Sequence, residues 1–114
     1  MTTVVFELAS DGSYRGFTCM GHAGYARKGS PDILCSAISA LTIHTANGIQ
    51  FAAGDEIEVS QNEETGFFRC QIRSGPKEGT RILMDSLLQS MKGLSEQYGE
   101  KYLQVTIRKE TKDA

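Results

Sequence analysis

Two side chains in the first third of the chain, those of His22 and Cys35, could together perform nucleophilic chemistry. The tripeptide Ser30-Pro31-Asp32 is typical of a helix start, because Ser30 or Asp32 can cap free N–H groups and proline is tolerated in the first turn. Cys35 would then lie within the first two turns, where unpaired N–H groups and the helix dipole favour a thiolate. A thiolate paired with an imidazolium can attack a peptide carbonyl and return a proton to the leaving amine. The pair therefore predicts acyl-transfer chemistry.

The two histidines differ in whether they can reach Cys35. His44 follows Cys35 by nine residues, so on one helix it would point about 180° away and lie about 13 Å along the axis. His22 lies near the start of a glycine-rich segment, residues 21–32, which we interpret as a mobile loop that can bring it over the helix start. We therefore predict that His22 is the base and that His44 faces solvent or a partner.

Polar groups around the predicted helix start could support this pair. Asp32 lies three residues before Cys35 and could orient His22, although an aspartate at a helix start is more often a cap. Ser39, one turn after Cys35, could hydrogen-bond near the thiolate or only permit close packing. Main-chain N–H groups of the first turn, including that of Cys35, could form an oxyanion hole. The sequence leaves these alternatives open.

The cysteines also allow a different interpretation, a zinc site. Cys19-x-x-His22 with Cys35 and Cys70 would supply four ligands, but the second half lacks the close pair that zinc sites usually have. We favour no metal and no cofactor, with Cys19 and Cys70 as buried structural thiols. Three cysteines at irregular spacing also indicate a reducing compartment rather than a disulfide framework.

Composition places the chain among small globular proteins. Its 114 residues, 39% of them hydrophobic, are expected to form one domain over residues 1–114, and burial in a homodimer would further stabilise a domain of this size. The formal net charge of -2, from 12 basic and 14 acidic residues, favours neither a nucleic-acid partner nor a membrane surface. Residues 1–10 alternate like a strand and have no basic n-region, so we expect no signal peptide and a cytoplasmic location.

Hydrophobic periodicity predicts five strands and two helices. Val4, Phe6 and Leu8 alternate along a first strand, and Asp11-Gly12 supplies the turn of a hairpin. The expected strands are 2–8, 14–20, 56–61, 66–73 and 102–108, the expected helices are 33–53 and 77–98, and a charged tail follows at 109–114. The order ββαββαβ predicts an α+β or α/β fold in which two helices pack on a mixed or antiparallel sheet.

The residues around the predicted pair carry a recognisable pattern. Gly21-His22-Ala23-Gly24 precedes a short loop, and Asp32-Ile33-Leu34-Cys35 is followed by Ser36-Ala37, Ser39 and Leu41. This pattern closely resembles the bacterial ribosomal-processing cysteine protease family, Prp, and the likeness extends over the whole chain in length and element order. The second half of the chain matches that family only in pattern.

The resemblance implies a homodimeric α/β protein that removes a short N-terminal extension from large-subunit ribosomal protein L twenty-seven, cleaving after aromatic residues. By that match His22 and Cys35 correspond to the catalytic dyad, and Asp32 and Ser39 to neighbouring polar positions. The mobile segment covering the substrate would include Gly21, Ala23, Gly24, Tyr25 and Gly29.

Other expectations depend on the substrate and on the nature of Cys35. Apolar subsites would be required, and the aromatic residues that could line them are Phe17, Tyr25, Phe51, Phe67 and Phe68, although each is more often a core or strand position. The alternative from another class is a non-catalytic ribosome-associated binding module in which Cys35 is structural. Such a module would lack a reactive thiolate.

Overall fold

Five strands and two helices follow one another in the predicted order ββαββαβ. A computed structural model of the chain describes residues 1–27 and 30–111, so Gly29 and the end of the predicted tail, 112–114, lie outside the described residues. The strands are β1 Thr2–Leu8, β2 Tyr14–Met20, β3 Ile57–Asn62, β4 Phe67–Ile72 and β5 Leu103–Lys109, and the helices are α1 Ile33–Asn47 and α2 Glu78–Tyr98.

The strands form one mixed sheet in the order β3-β4-β2-β1-β5. The β1–β2 and β3–β4 pairs are antiparallel hairpins, and β4 also pairs antiparallel with β2. The last strand lies parallel to β1, because α2 carries the chain back across the sheet before β5 begins. The two hairpins therefore meet at the β2–β4 pair, which brings the end of β2 beside the start of β4.

The core lies between one face of the sheet and both helices. Val4, Phe6 and Phe17 alternate onto this face, where they join one fully buried cluster with residues of both helices. The helix residues in that cluster are Leu34, Ile38, Ala46, Met84, Leu87 and Met91. On the opposite face of the sheet, Arg69 and Glu7 form an ion pair with 3.6 Å between Nη2 and Oε2. One layer of helices on one layer of sheet thus makes a single domain of the described residues, as predicted.

The first helix ends earlier than its apolar pattern predicts. Regular α-helical geometry stops at Asn47, and the π-helical segment Gly48–Ala53 continues the chain to Gly54, whose φ of 82° ends it. A Cβ added to Gly48 would lie 3.0 Å from a methyl carbon of Leu83, so this segment contacts α2 closely. Neither helix of the described residues combines the length and the apolar character needed to cross a membrane.

Candidate active site

An open cleft of about 390 Å³ lies between the first half of α1 and the end of the β3–β4 hairpin. Helix residues on one wall include Cys35, Ser39 and Thr42, whereas Phe67 and Phe68 of β4 lie on the other. His22, directly after β2, also lines it. The cleft therefore gathers residues that are distant in sequence, and the two residues predicted to act together both lie in it.

The cysteine and histidine side chains approach each other in this cleft. Cys35 Sγ lies 4.0 Å from His22 Nδ1, at the outer limit of a hydrogen bond to sulfur. Catalytic hydrogen bonds are often long before substrate binds and tighten afterwards. The imidazole is exposed and the thiol is only half-buried, so the sulfur is accessible to a peptide. The arrangement can transfer a proton from the thiol to the ring.

The other ring nitrogen of His22 has a partner that the sequence did not reveal. His22 Nε2 lies 2.9 Å from the main-chain oxygen of Glu64, in the turn between β3 and β4. A carbonyl oxygen can only accept, so Nε2 must carry the hydrogen. In the neutral imidazole, Nδ1 is then the unprotonated nitrogen, and it is the nitrogen that faces Cys35.

Asp32 caps α1 and does not occupy the orienting position beside His22. Its Oδ1 accepts a hydrogen bond from the main-chain N–H of Cys35 at 2.9 Å. Its Oδ2 accepts from Tyr25 N–H at 2.9 Å and Ala26 N–H at 3.4 Å. Burial acts to raise the pKa of this carboxyl, but the main-chain hydrogen bonds outweigh it and lower the pKa. Of the two alternatives for Asp32, the structure therefore shows the helix cap. The same carboxylate also joins the loop to the helix start, since it accepts hydrogen bonds from both.

The expected oxyanion donor in the first turn of α1 is already used. The N–H of Cys35 donates to Asp32 Oδ1, and the N–H of Ser36 donates to the main-chain oxygen of Asp32 at 3.0 Å. In this conformation neither N–H group is free to bind an oxyanion, because both donate to oxygen atoms of Asp32. Ser39 is exposed on the cleft wall one turn further along.

The two remaining cysteines are buried thiols, and the structure does not bring the four residues of the zinc alternative together. Cys19 and Cys70 are 4% and 0% exposed. Burial raises the pKa of Cys19 to about 12 and that of Cys70 to about 11. Among the described residues, which include Cys19, His22, Cys35 and Cys70, no three potential ligands cluster closely enough to hold a metal ion.

The glycine-rich loop, predicted to be mobile, has several anchors in its described part. The main-chain oxygen of Gly21 accepts a hydrogen bond from Thr2 Oγ1 at 3.0 Å, and Ala23 is 1% exposed. Gly24 adopts a φ of 68° in open space, where a side chain would meet no neighbour but would strain the backbone. Gly29 lies outside the described residues. The structure thus places Gly21 beside the cleft and fixes Ala23 in the core.

Tyr25 forms the outer anchor of this loop. Its ring lies edge-on to the rings of Tyr98 and Tyr102, with centroid distances of 5.0 and 5.2 Å. Such pairs contribute about 0.5–1.5 kcal/mol beyond area burial. Sequence analysis assigned Tyr25 to the loop but gave no indication of its partners, because they follow it by more than 70 residues.

The five aromatic residues considered for apolar subsites lie in different parts of the fold. Phe67 and Phe68 line the cleft. Phe17 is 1% exposed and stacks under Phe68 at 6.0 Å, so it supports the cleft wall from the core. Tyr25 packs against other tyrosines, and Phe51 is 77% exposed on the π-helical segment. His44 is exposed on α1, in agreement with its predicted surface position.

Comparison with protein families identifies one family, and solved structures share its fold. The sequence model of the cysteine protease Prp family matches residues 1–104. Among solved structures, the essential ribosomal processing protease Prp from S. aureus with a covalently linked product peptide is 19% identical. Its TM-score is 0.85, and the match covers 95% of this chain and 100% of that one.

Two further structures share the fold. The same S. aureus protease with a substrate peptide is 18% identical, with a TM-score of 0.82 and coverage of 95% and 100% of the two chains. SMU.848 from Streptococcus mutans is 22% identical, with a TM-score of 0.79 and coverage of 96% of each chain. No curated protein matches the sequence.

Proposed function

Because this chain belongs to the cysteine protease Prp family, we propose that Cys35 is its nucleophile and His22 its general base. The observation that carries the proposal is the 4.0 Å approach of Sγ to Nδ1 in a cleft open enough for a peptide. The helix start supports it, because the positive end of the α1 dipole favours the anionic sulfur. Asp32 has a supporting role because it joins the loop to α1, and Ser39 because it lines the cleft one turn after Cys35.

The reaction follows from the two ring nitrogens. Nδ1 of His22 takes the proton of the Cys35 thiol, and the sulfur attacks the carbonyl carbon of the scissile peptide bond. Nδ1–H then donates this proton to the leaving nitrogen, so the amine departs and a thioester remains. Water loses a proton to Nδ1 as its oxygen attacks the thioester carbon. The C–S bond then breaks, which releases the new carboxyl terminus, and the proton on Nδ1 returns to the sulfur. None of these steps transfers the hydrogen on Nε2, which the Glu64 carbonyl accepts in this structure.

For the substrate we propose the N-terminal extension of large-subunit ribosomal protein L twenty-seven, cut after an aromatic residue in the bacterial cytoplasm during ribosome assembly. Membership of the Prp family supports this choice, and a structural neighbour is described as a ribosomal processing protease that holds a product peptide. Phe67 and Phe68 supply apolar cleft surface for an aromatic side chain. The two side chains and water complete this reaction without a cofactor, and we propose neither a nucleic-acid nor a membrane partner.

The test is mass spectrometry of a synthetic peptide with the extension sequence after incubation with the purified chain. We expect one cut, on the carboxyl side of an aromatic residue. Replacing that aromatic residue by alanine should lower kcat/KM about 10- to 100-fold, because an apolar pocket loses a few kcal/mol of contact. A peptide that binds but keeps its intact mass would instead identify the chain as a non-catalytic binding module.

We also propose that the protein is a homodimer. Four large apolar side chains of the helical layer are about half exposed or more, with exposed fractions of 59% for Ile33, 48% for Ile43, 77% for Phe51 and 61% for Ile82. Isolated exposed apolar residues are ordinary, but Phe51 leaves most of a ring in water on the π-helical segment, which contacts α2, the helix that carries Ile82. Covering such side chains with a second copy would recover their burial energy.

Light scattering after size-exclusion chromatography checks the homodimer. We expect twice the mass of one chain for the wild type and a shift toward one chain mass for Phe51→Glu, because a buried unpaired carboxylate opposes association. Ile107→Glu is the control, since Ile107 is 48% exposed on the edge strand β5 rather than on a helix. A wild-type protein with the mass of one chain at micromolar concentration would contradict the homodimer.

A further inference from the structure

We propose that the β3–β4 turn, residues 62–66, is a positioning element for the base, acting through the main-chain carbonyl of Glu64; this inference rests on the proposed dyad. The carbonyl oxygen lies 2.9 Å from His22 Nε2 and Cys35 Sγ lies 4.0 Å from Nδ1. The two contacts fix opposite sides of the imidazole. The contact with the Glu64 carbonyl keeps the hydrogen on Nε2. The contact with Cys35 then places the unprotonated Nδ1 beside the thiol.

The imidazole needs a hydrogen-bond partner besides Cys35, because His22 is exposed and its ring could otherwise rotate. In nucleophile–histidine pairs a side-chain oxygen commonly holds the distal ring nitrogen. Here Asp32, the nearest acidic candidate in sequence, directs both carboxylate oxygens at main-chain N–H groups of Cys35, Tyr25 and Ala26. A main-chain carbonyl can replace it, since it accepts from the ring in both the neutral and the protonated state.

The turn is built to hold this carbonyl in place. Asn62 Oδ1 accepts a hydrogen bond from Glu64 N–H at 3.1 Å, so the residue that presents the carbonyl is held by its own amide. Thr65 Oγ1 donates to the main-chain oxygen of Asn62 at 3.3 Å, and Gly66 N–H donates to that of Glu63 at 3.3 Å. These bonds set the direction in which the Glu64 carbonyl points.

The turn also lies directly against the backbone that carries the histidine. A Cβ added to Gly66 would be 2.6 Å from the main-chain oxygen of Gly21 and 3.2 Å from the main-chain nitrogen of His22. Gly66 has a φ of 69°, so both its conformation and its contact require glycine. Because β4 begins at Phe67 and pairs with β2 at Cys19–Phe68, the sheet fixes the turn relative to His22. The base and its acceptor are thus positioned by one hairpin contact.

Gly66→Ala tests the positioning element, with Gly12→Ala as the matched control. Gly12 also has a positive φ, 89°, but a Cβ there would meet nothing within 4 Å, so the control carries the backbone strain without the contact. We expect Gly66→Ala to lower kcat for the peptide about 10- to 100-fold with little change in KM, as misplaced catalytic groups do. Iodoacetamide alkylation of Cys35 at neutral pH should slow as well. Gly12→Ala should retain both.

A second variant keeps the test decisive if Gly66→Ala does not fold. Semisynthesis that replaces Thr65 by its α-hydroxy acid converts the Glu64 carbonyl from an amide to an ester, a weaker acceptor, and leaves every side chain unchanged. Loss of one hydrogen bond's net contribution predicts a kcat about fivefold lower. A kcat equal to that of the wild type in the ester variant, or equal in Gly66→Ala and Gly12→Ala, would overturn the positioning role.

His22→Ala separates failure of this inference from failure of the proposed dyad. If alkylation of Cys35 at neutral pH is as fast in His22→Ala as in the wild type, the dyad itself is wrong. If alkylation depends on His22 but is insensitive to the turn variants, the dyad stands and the Glu64 carbonyl has no role. Slower alkylation in both His22→Ala and the turn variants supports the two proposals together.

Discussion

Cys35→Ala is expected to abolish peptide cleavage while leaving the protein folded. Removing the nucleophile of a covalent hydrolase lowers kcat by about 10⁵-fold or more, since the acyl intermediate forms on that side chain. The fold should tolerate the change, because the thiol is only half-buried and the cap on α1 uses the main-chain N–H of Cys35 rather than its sulfur. Mass spectrometry of the peptide measures the first effect, and urea denaturation the second.

Cys70→Ala provides the opposite pattern as a control. Cys70 is fully buried and does not line the cleft, so its loss should lower the free energy of unfolding by about 1 kcal/mol and leave kcat unchanged. Iodoacetamide at neutral pH should label Cys35 alone, because burial raises the pKa values of Cys19 and Cys70 well above neutrality. Peptide cleavage by Cys35→Ala at the wild-type rate would show that Cys35 is not the nucleophile.

Local patterns predicted the elements that position this cysteine. The helix start at Ser30-Pro31-Asp32 was readable because capping chemistry acts over three residues, and Asp32 is the cap observed. Likewise the spacing of Met84, Leu87 and Met91 predicted the buried face of α2. Both β-hairpins were predicted for the same reason, since a strand pair joined by a short turn is specified within about twenty residues.

Features that depend on contacts between residues far apart in the sequence were not predicted. The pairing of β5 with β1 joins residues about 100 positions apart, and Gly48, at which the π-helical segment begins, lies close to Leu83 of α2. The acceptor for His22 was missed for a different reason. It is a main-chain carbonyl, which every residue possesses, so the identity of Glu64 carries no signal for it.

A buried carboxylate between the π-helical segment and α2 was also missed. Asp55 is 2% exposed, and its Oδ1 accepts a hydrogen bond from Ser74 Oγ at 2.8 Å. Its Oδ2 accepts from Lys77 N–H at 2.8 Å and from Thr80 Oγ1 at 2.5 Å. Asp55 therefore caps α2 from 22 residues away, where Lys77 at the helix start supplies no side-chain cap of its own.

Asp55→Ala is expected to lower the free energy of unfolding by about 3 kcal/mol near neutral pH, as measured by urea denaturation. The helix loses its cap, and the hydroxyl of Thr80, which is 0% exposed, loses its acceptor. Burial acts to raise the pKa of Asp55, but the hydrogen bonds from Thr80, Lys77 and Ser74 outweigh it, and the pKa is lowered.

The sign of that pKa shift predicts how the effect depends on pH. A carboxyl with a lower pKa in the folded than in the unfolded state contributes its full stabilisation above the unfolded value, about 4, and loses it as the pH falls through the folded value. The difference between wild type and Asp55→Ala should therefore be constant near neutrality and shrink below about pH 4. Asp11→Ala is the control, because Asp11 is exposed and should hardly shift the urea midpoint. A pH-independent difference would mean that Asp55 contributes through packing rather than through its charge.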